Sequence, residues 1–234
     1  MMRWIVALAV VVAAVPAGHA LKGKTVREAN DYPAAVLVEA ADSKTRKGSR
    51  SSGCLLGPKL VLTAGHCIDD ADTFRVTAPY AKGGPVSVKV KSATAHPKYK
   101  RGEFDHDVAV IVLEEAIEIE KDFPVLWEGE QFRIGTKFVV VGRVDDDKVS
   151  EDRLFRASTE VVQYPGNLNL YGGFPRTTQH GDSGGPVFVD AKSKKPIVVG
   201  IVTGMLGFSR RNVETDAYLP ISAKVREWVL AEGK

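Results

Sequence analysis

Short runs rich in β-branched residues recur along almost the whole chain, and no long helical pattern separates them. This arrangement favours an antiparallel all-β protein, because parallel sheets need long crossover connections that are usually helical. The run VSVKVK alternates and predicts a half-exposed strand, whereas VAVIVL is continuous and predicts a buried one. The candidate strands are residues 34–40, 59–65, 86–95, 107–114, 137–144, 153–163, 185–190, 196–204 and 216–221.

The C-terminal end is the exception to this pattern. The segment ISAKVREWVLAE (221–232) predicts a helix, because four of its apolar side chains share one helical face: Ile221, Val225, Trp228 and Val229. Residues 114–135 are the best candidate for a linker between two β halves. The residues therefore predict an all-β sandwich or barrel architecture with one C-terminal helix.

The first twenty residues have the composition of an export signal. A basic head, MMR, precedes the apolar run WIVALAVVVAAV, which is too short to span a bilayer, and small residues follow in PAGHA. We expect cleavage after Ala20, so that residues 21–234 form the mature chain. Since no second apolar run is long enough for a stable membrane anchor, the sequence predicts a secreted or periplasmic protein.

Charge gives little support to a nucleic-acid function. The net charge is only +3, and charged residues make up 26% of the chain, an ordinary globular balance. Basic clusters at 44–50, 98–101 and 192–195 have no aromatic platform, and we interpret them as solvated loops, with polyanion binding as the alternative. We therefore expect no nucleic-acid partner.

The chain has two cysteines, Cys54 and Cys67. In an exported protein an even number of cysteines predicts a disulfide, which stabilises by about 3 kcal/mol for a loop of this length in the chain-entropy model. Two thiols are too few for a zinc site, even with the adjacent His66 as a third ligand. We expect a Cys54–Cys67 bridge, no metal and no cofactor.

Three motifs supply the groups of a nucleophilic triad. In TQHGDSGGPV (178–187), Ser183 follows an acid and precedes two glycines, although this motif alone could be a glycine-rich turn. A serine hydroxyl needs a base, and LTAGHC offers His66, unless that histidine is structural. In DHDVAVIVL, Asp107 enters an apolar run, where a carboxylate is costly unless it is paired. An imidazole that donates to Asp107 would supply the pairing and fix its own tautomer; Asp105 is the rival carboxylate.

The motifs TAGHC, DHDVAV and GDSGGP, in this order, resemble those of trypsin/chymotrypsin-like serine proteases. The resemblance covers nearly the whole mature chain. It implies two antiparallel β-barrels, at about 21–120 and 125–220, with the active site in the cleft between them. It also implies a C-terminal helix at about 221–232.

The resemblance makes Ser183 the nucleophile, His66 the general base and then acid, and Asp107 the orienting carboxylate. The backbone N–H groups of Gly181 and Ser183 map to the oxyanion hole, where each donor contributes about 3–4 kcal/mol to transition-state stabilisation. The implied protein is a secreted, monomeric serine endopeptidase that forms an acyl-enzyme, with polypeptide substrates and protein inhibitors as partners. The alternatives are an inactive homologue that serves as a protein-binding module, and an esterase of the same fold.

Asp182 has a separate role by the same resemblance: it pairs with the α-amino group that zymogen cleavage exposes, which orders the oxyanion loop. LKGKTVREANDYPAAV, from Leu21 onward, aligns without gaps to the family's mature start. We therefore expect that signal cleavage itself exposes the Leu21 amine, that this amine pairs with Asp182, and that there is no propeptide. The alternative is that residues 22–30 form a flexible tail.

The positions that align with the substrate pocket give conflicting predictions for P1, the residue before the cleaved bond. Thr177 stands at the primary-specificity position and predicts a small or apolar P1 side chain. Asp216 aligns with a second pocket-floor position, where a carboxylate can pair with Lys or Arg. The strand along which substrate lies would contribute Thr203, Gly204 and Met205, with Thr203 near Asp107. Both P1 predictions stay open at this point.

Overall fold

The computed structural model describes residues 26–45, 47–129, 132–145, 148–163, 171–174, 177–189, 195–208 and 213–233. The predicted export signal and Leu21 lie outside these ranges. In chain order the elements are β1 (Arg27–Glu28), β2 (Ala35–Ala41), β3 (Gly48–Gly57), β4 (Leu60–Thr63), β5 (Thr73–Ala78), β6 (Val86–Ala95), β7 (Ala109–Leu113), β8 (Val125–Leu126), β9 (Lys137–Gly142), β10 (Val144–Asp145), β11 (Lys148–Val149), β12 (Phe155–Gln163), β13 (Tyr171–Phe174), β14 (Pro186–Val189), β15 (Ile197–Phe208), β16 (Val213–Pro220) and α1 (Ala223–Glu232).

The N-terminal barrel is a closed ring of antiparallel strands in the order β2-β3-β4-β7-β6-β5, in which β5 pairs back onto β2. Its strands show the predicted burial patterns. Strand β6 is mostly exposed on one face, as its alternating sequence predicts. Strand β7 is buried along nearly its whole length because it lies between β4 and β6 and contacts helix α1 on the outside.

The C-terminal barrel has the strand order β12-β13-β16-β15-β14-β9 and is closed by pairing of β9 with β12. The short strand β1, near the start of the described chain, adds to the edge of β12. Strand β8 pairs in parallel with the beginning of β15. Two antiparallel barrels are therefore present, and the predicted fold class is confirmed.

A buried arginine ties the two barrels together. Arg143, between β9 and β10, has 0% of its surface exposed. Its Nη1 atom donates to the carbonyl oxygens of Val38 and Ser51 in the N-terminal barrel, both at 3.3 Å, while Nε and Nη2 donate to Ser150 O at 2.9 and 2.8 Å. Burial lowers the pKa of Arg143 to about 10. These carbonyl oxygens replace the water that the buried guanidinium has lost. Because two of them belong to the N-terminal barrel and the third follows β11, Arg143 fixes that barrel against the β10–β11 hairpin.

The predicted C-terminal helix is confirmed. Ser222 caps α1 by accepting a hydrogen bond from Val225 N at 3.3 Å. Val225 and Val229 are buried against the core, and Trp228 packs edge-on against the ring of His96, with ring centroids 4.8 Å apart. Within the described ranges no helix is long and apolar enough to cross a membrane.

Candidate active site

Two neighbouring strands of the N-terminal barrel bring His66 and Asp107 together. His66 lies on a single 3₁₀ turn, Gly65–Cys67, directly after β4, and Asp107 lies two residues before β7. Strands β4 and β7 are hydrogen-bonded neighbours, with Thr63 opposite Ala109, so their ends present both side chains at one edge of the barrel. His66 Nδ1 lies 2.7 Å from Asp107 Oδ2, and His66 N donates to Asp107 Oδ1 at 2.8 Å.

Asp107 also receives a hydrogen bond from the other barrel. The hydroxyl of Thr203, in β15, donates to Asp107 Oδ2. Asp107 is 2% exposed, and this third donor completes the solvation of a carboxylate that has left water. The aspartate is therefore fixed in position, and it holds His66 with Nδ1–H toward the carboxylate and Nε2 free for other partners. The rival carboxylate, Asp105, pairs instead with Nδ1 of His106 at 3.1 Å.

The second nitrogen of His66 contacts a thiol. Cys67 Sγ lies 3.8 Å from His66 Nε2. Burial of the ring lowers the pKa of His66, but its hydrogen bonds and charge interactions with Asp107 and Cys67 raise that pKa by more, to about 11. Among the described residues no hydrogen bond joins Nε2 to the Ser183 hydroxyl.

The loop that carries Ser183 packs on the strands that carry His66. Ser183 O accepts a hydrogen bond from Ser52 N at 2.8 Å, and Gly181 O accepts one from Ser52 Oγ at 3.1 Å. Gly184 has a φ of +75°, and a Cβ there would lie 2.1 Å from the Thr63 hydroxyl and 2.5 Å from Ser52 O. Only glycine satisfies both this backbone conformation and this approach. The serine, itself half-buried, is thus held beside the strand end that precedes His66.

The backbone donors predicted for the oxyanion hole lie in the same loop. Gly181 has a φ of +106°, a conformation that glycine adopts at little cost. Within the described part of the chain, neither Gly181 N nor Ser183 N donates to another protein group, whereas the intervening Asp182 N donates to Gln179 O at 3.0 Å. Two N–H groups next to the candidate nucleophile are therefore available to a ligand.

Asp182 is completely buried beneath this loop. Its Oδ2 atom accepts a hydrogen bond from Gln179 N at 2.9 Å. Its carboxylate lies against Gly142, where a Cβ would come within 2.2 Å of Oδ1. The predicted partner, the amine of Leu21, lies outside the described residues, so this pairing stays a prediction.

The carboxylate of Asp216, the candidate for charge recognition at P1, accepts hydrogen bonds from neighbouring groups of the protein. It is 0% exposed. Its Oδ1 atom accepts hydrogen bonds from Thr178 N at 2.9 Å and Thr178 Oγ1 at 2.6 Å, and its Oδ2 atom accepts from Thr177 N at 2.8 Å, Thr177 Oγ1 at 2.7 Å and Tyr218 Oη at 2.8 Å. Two carboxylate oxygens offer about four lone-pair sites, so five donors leave no acceptor for a substrate cation.

Phe104 packs against β15, a contact that the sequence did not predict. A Cβ added to Gly204 would lie 2.8 Å from Phe104 Cε1, so the ring covers the face of β15 that the missing side chain leaves open. Met205, the next residue, is 36% exposed beside it. The signal in the sequence was indirect: Gly204 has no side chain, and an aromatic residue occurs three positions before Asp107.

The predicted disulfide is wrong, because both cysteines are free. Cys54 lies within β3 opposite Leu62, and its thiol points to Leu55 O at 3.6 Å. Cys67 lies on the turn after β4, and its thiol points to His66 instead. The two thiols therefore have different neighbours. The number of cysteines cannot predict this, because a disulfide also requires that the two side chains point toward each other.

Comparison with known proteins agrees with this geometry. A family model described as Trypsin matches residues 22–229. A trypsin of Simulium vittatum is 27% identical over 206 residues, which cover 77% of this chain and 80% of that protein. Trypsin 5G1 of Aedes aegypti is 28% identical over 206 residues, which cover 76% of this chain and 73% of the relative.

Proposed function

Since the chain belongs to the trypsin family of serine proteases, we propose that it is an exported serine endopeptidase that cleaves polypeptides through an acyl-enzyme on Ser183. The observation that carries this proposal is the His66–Asp107 pair, which is joined by two hydrogen bonds and receives a third from Thr203 of the other barrel. The loop that carries Ser183 packs next to this pair, and glycines bound the serine on its C-terminal side. A structural histidine would need neither a buried carboxylate on Nδ1 nor a glycine-restricted serine beside it.

The reaction follows from these contacts. His66 Nε2 takes the proton of the Ser183 hydroxyl as the oxygen attacks the substrate carbonyl, and Asp107 stabilises the imidazolium that forms. The N–H groups of Gly181 and Ser183 stabilise the negative oxygen of the tetrahedral intermediate. His66 then protonates the leaving amine, and water releases the acyl group by the same steps. Nε2 contacts Cys67 Sγ at 3.8 Å, and in this proposal a hydrogen bond from the Ser183 hydroxyl replaces that contact before the first step, while Nδ1 stays on Asp107.

The contact between Nε2 and Cys67 favours a second candidate, an inactive homologue that binds proteins through the same cleft. A fluorophosphonate probe and a peptide library separate the candidates. We expect wild-type protein to be labelled and to cleave peptides, and Ser183→Ala to lose labelling and on the order of 10⁶ in rate. Absence of both activities in folded wild-type protein would favour the binding module, while labelling without peptide cleavage would favour an esterase.

For P1 we propose small or apolar residues rather than Lys or Arg. The support is the complete hydrogen bonding of Asp216, because an incoming cation would have to displace threonine or tyrosine donors from a carboxylate without exposed surface. The test is a peptide library that varies P1, read as the ratio of Lys to Ala cleavage in wild type and in Asp216→Ala. A high ratio that collapses in the variant would restore the Lys/Arg proposal.

Export and the N-terminal pairing belong to the same proposal. The apolar run near the N-terminus and the buried Asp182 carboxylate support an active enzyme whose Leu21 amine is exposed by signal cleavage. N-terminal sequencing of secreted, active protein tests this. A start well away from Leu21 would mean that a propeptide is removed, or that Asp182 is satisfied by another group.

A further inference from the structure

A groove opens beside the oxyanion loop, and no described residue of β15 lines it. Its volume is about 730 Å³, and Gly181 and His180 form one end of it. Its walls come from the outer face of β2, β3 and β5 in the N-terminal barrel. Gly204 and Met205 of β15 would lie along the acyl half of a substrate, and they do not line this groove. We therefore expect the residues after the cleaved bond to leave over it. We call it the leaving-group groove.

One row of charged residues crosses the strands that form the groove. The register places Arg50 of β3 opposite Glu39 of β2, Glu39 opposite Arg75 of β5, and Arg75 opposite Lys89 of β6. Cross-strand partners point to the same face of a sheet. The neighbouring row is buried inside the barrel, so the charged row faces outward: Ser51, Val38, Val76 and Val88. The row therefore holds three cations and a single anion.

The free positive charge lies at the β5 end of the row. Arg50 already pairs with Glu151, with Nη1 2.9 Å from the carboxylate. Among the described residues no ion pair engages Arg75, which lines the groove, or Lys89 behind it. Glu39 lies between the two arginines and offsets part of their field. With Glu151 included, three cations and two anions leave a net charge of +1, and Arg75 is the cation of the unpaired couple Arg75 and Lys89 that lines the groove.

We propose that the leaving-group groove binds the polypeptide segment that follows the cleaved bond, and that Arg75 selects an acidic side chain there. This inference rests on the proposed function, and it adds a substrate preference that no catalytic residue determines. The groove meets a second pocket of about 630 Å³ in which two lysines, Lys44 and Lys47, are outnumbered by four aspartates: Asp42, Asp69, Asp70 and Asp72. We expect the preference for an acidic side chain to end there. The acidic side chain therefore belongs within the first few residues after the bond.

The expected effect is modest because the row is exposed to water. A single exposed charge pair typically changes affinity by about twofold to fivefold, and screening reduces this further as salt shortens the Debye length from about 10 Å at 0.1 M to 3 Å at 1 M. We expect peptides with Asp after the cleaved bond to have a kcat/KM about threefold to tenfold above that of their Lys counterparts at low salt. The preference should shrink at 1 M salt.

The experiment uses two peptides that are identical up to the cleaved bond and carry Asp or Lys at the second and third positions after it. We expect Arg75→Gln to abolish the preference and Arg75→Glu to reverse it, whereas Glu39→Gln should strengthen it. Lys224→Gln, on the exposed face of α1, is the matched control and should leave the ratio unchanged. A small ester without any leaving-group residues should be hydrolysed equally by wild type and Arg75→Gln.

Binding separates this inference from the proposed function. The same two peptides are titrated calorimetrically into Ser183→Ala protein, with and without Arg75→Glu. Tighter binding of the Asp peptide that Arg75→Glu reverses supports the groove even if wild type has no peptidase activity. Equal binding of both peptides, or an Asp preference that survives Arg75→Glu, overturns the inference even if the enzyme cleaves peptides.

Discussion

Replacing Asp216 with alanine should destabilise the protein severely, because the substitution removes the acceptor of five hydrogen bonds inside the C-terminal barrel. The hydroxyls of Thr177 and Thr178 can rotate toward other acceptors. Their two backbone N–H groups cannot, whereas the Tyr218 hydroxyl can turn toward the hydroxyls of Thr159 and Thr177. At least two buried donors, the backbone N–H groups of Thr177 and Thr178, are therefore left without a partner.

A buried donor without a partner costs about 1–3 kcal/mol, and breaking a buried charged network costs about 3–5 kcal/mol in total. We expect Asp216→Ala to lose about 4 kcal/mol of the free energy of unfolding, out of roughly 5–15 kcal/mol for a typical domain. For a protein of this size, each kcal/mol lowers Tm by about 2–4 °C, so Tm should fall by roughly 10 °C.

Thermal unfolding followed by circular dichroism, with urea denaturation as a check, measures this loss. Asp216→Asn keeps one carbonyl acceptor and should lose about half as much. Asp152→Ala, at a side chain 81% exposed, is the control and should change the stability by less than about 0.5 kcal/mol. A loss below 1 kcal/mol in Asp216→Ala would refute the reasoning, because it would mean that the carboxylate is not the acceptor for these groups.

Three further predictions concern the site and its thiols. Cys67 raises the pKa of His66, so Cys67→Ala should move the ascending limb of the kcat/KM–pH profile to lower pH, whereas Cys54→Ala should leave it in place. Thr203→Val removes one hydrogen bond to Asp107 and should lower kcat by about tenfold with little change in KM, as steady-state kinetics would reveal. Ellman's reagent should detect no thiol in native protein and two after denaturation without reductant, since Cys54 and Cys67 are 0% and 3% exposed; no thiol in the denatured protein would indicate a disulfide.

Local patterns were sufficient for the β-rich class, the C-terminal helix and the pairing of Asp107 with an imidazole, whereas the two-barrel fold was expected from the resemblance of three motifs to a known family. The continuous run before Leu113 predicts a buried strand, and it is buried because β4 and β6 flank it. The same strand end gives Asp107 its place beside His66, since a carboxylate that enters an apolar strand needs a donor nearby. These inferences succeed because strand burial and carboxylate desolvation depend on residues close in sequence.

The errors concern side-chain directions set by distant segments. The two P1 predictions conflicted because Thr177 and Asp216 were treated as independent pocket residues. In the structure the Thr177 hydroxyl donates a hydrogen bond to the Asp216 carboxylate, although the two residues lie 39 positions apart in sequence. Likewise, the ring of Phe104 covers Gly204 from the opposite barrel, and the sequence around either residue does not predict this contact. The disulfide prediction failed for a similar reason, because a cysteine count does not specify where β3 aims its thiol.

Asp216 and Asp182 together hold the segment that leads to Ser183. Asp216 accepts the N–H groups of Thr177 and Thr178, and Asp182 accepts the N–H of Gln179, so three successive backbone donors end on two buried carboxylates. Because the proposed nucleophile, Ser183, follows this segment, we expect Asp216 to act as a positioning residue for it without contacting substrate. A general fall in activity on Asp216→Ala is therefore no sign of charge recognition, since displacement of the loop would slow cleavage after every residue. Only a change in the ratio between Lys and Ala at P1 can distinguish the two roles, and on this geometry that ratio should stay constant while both rates fall.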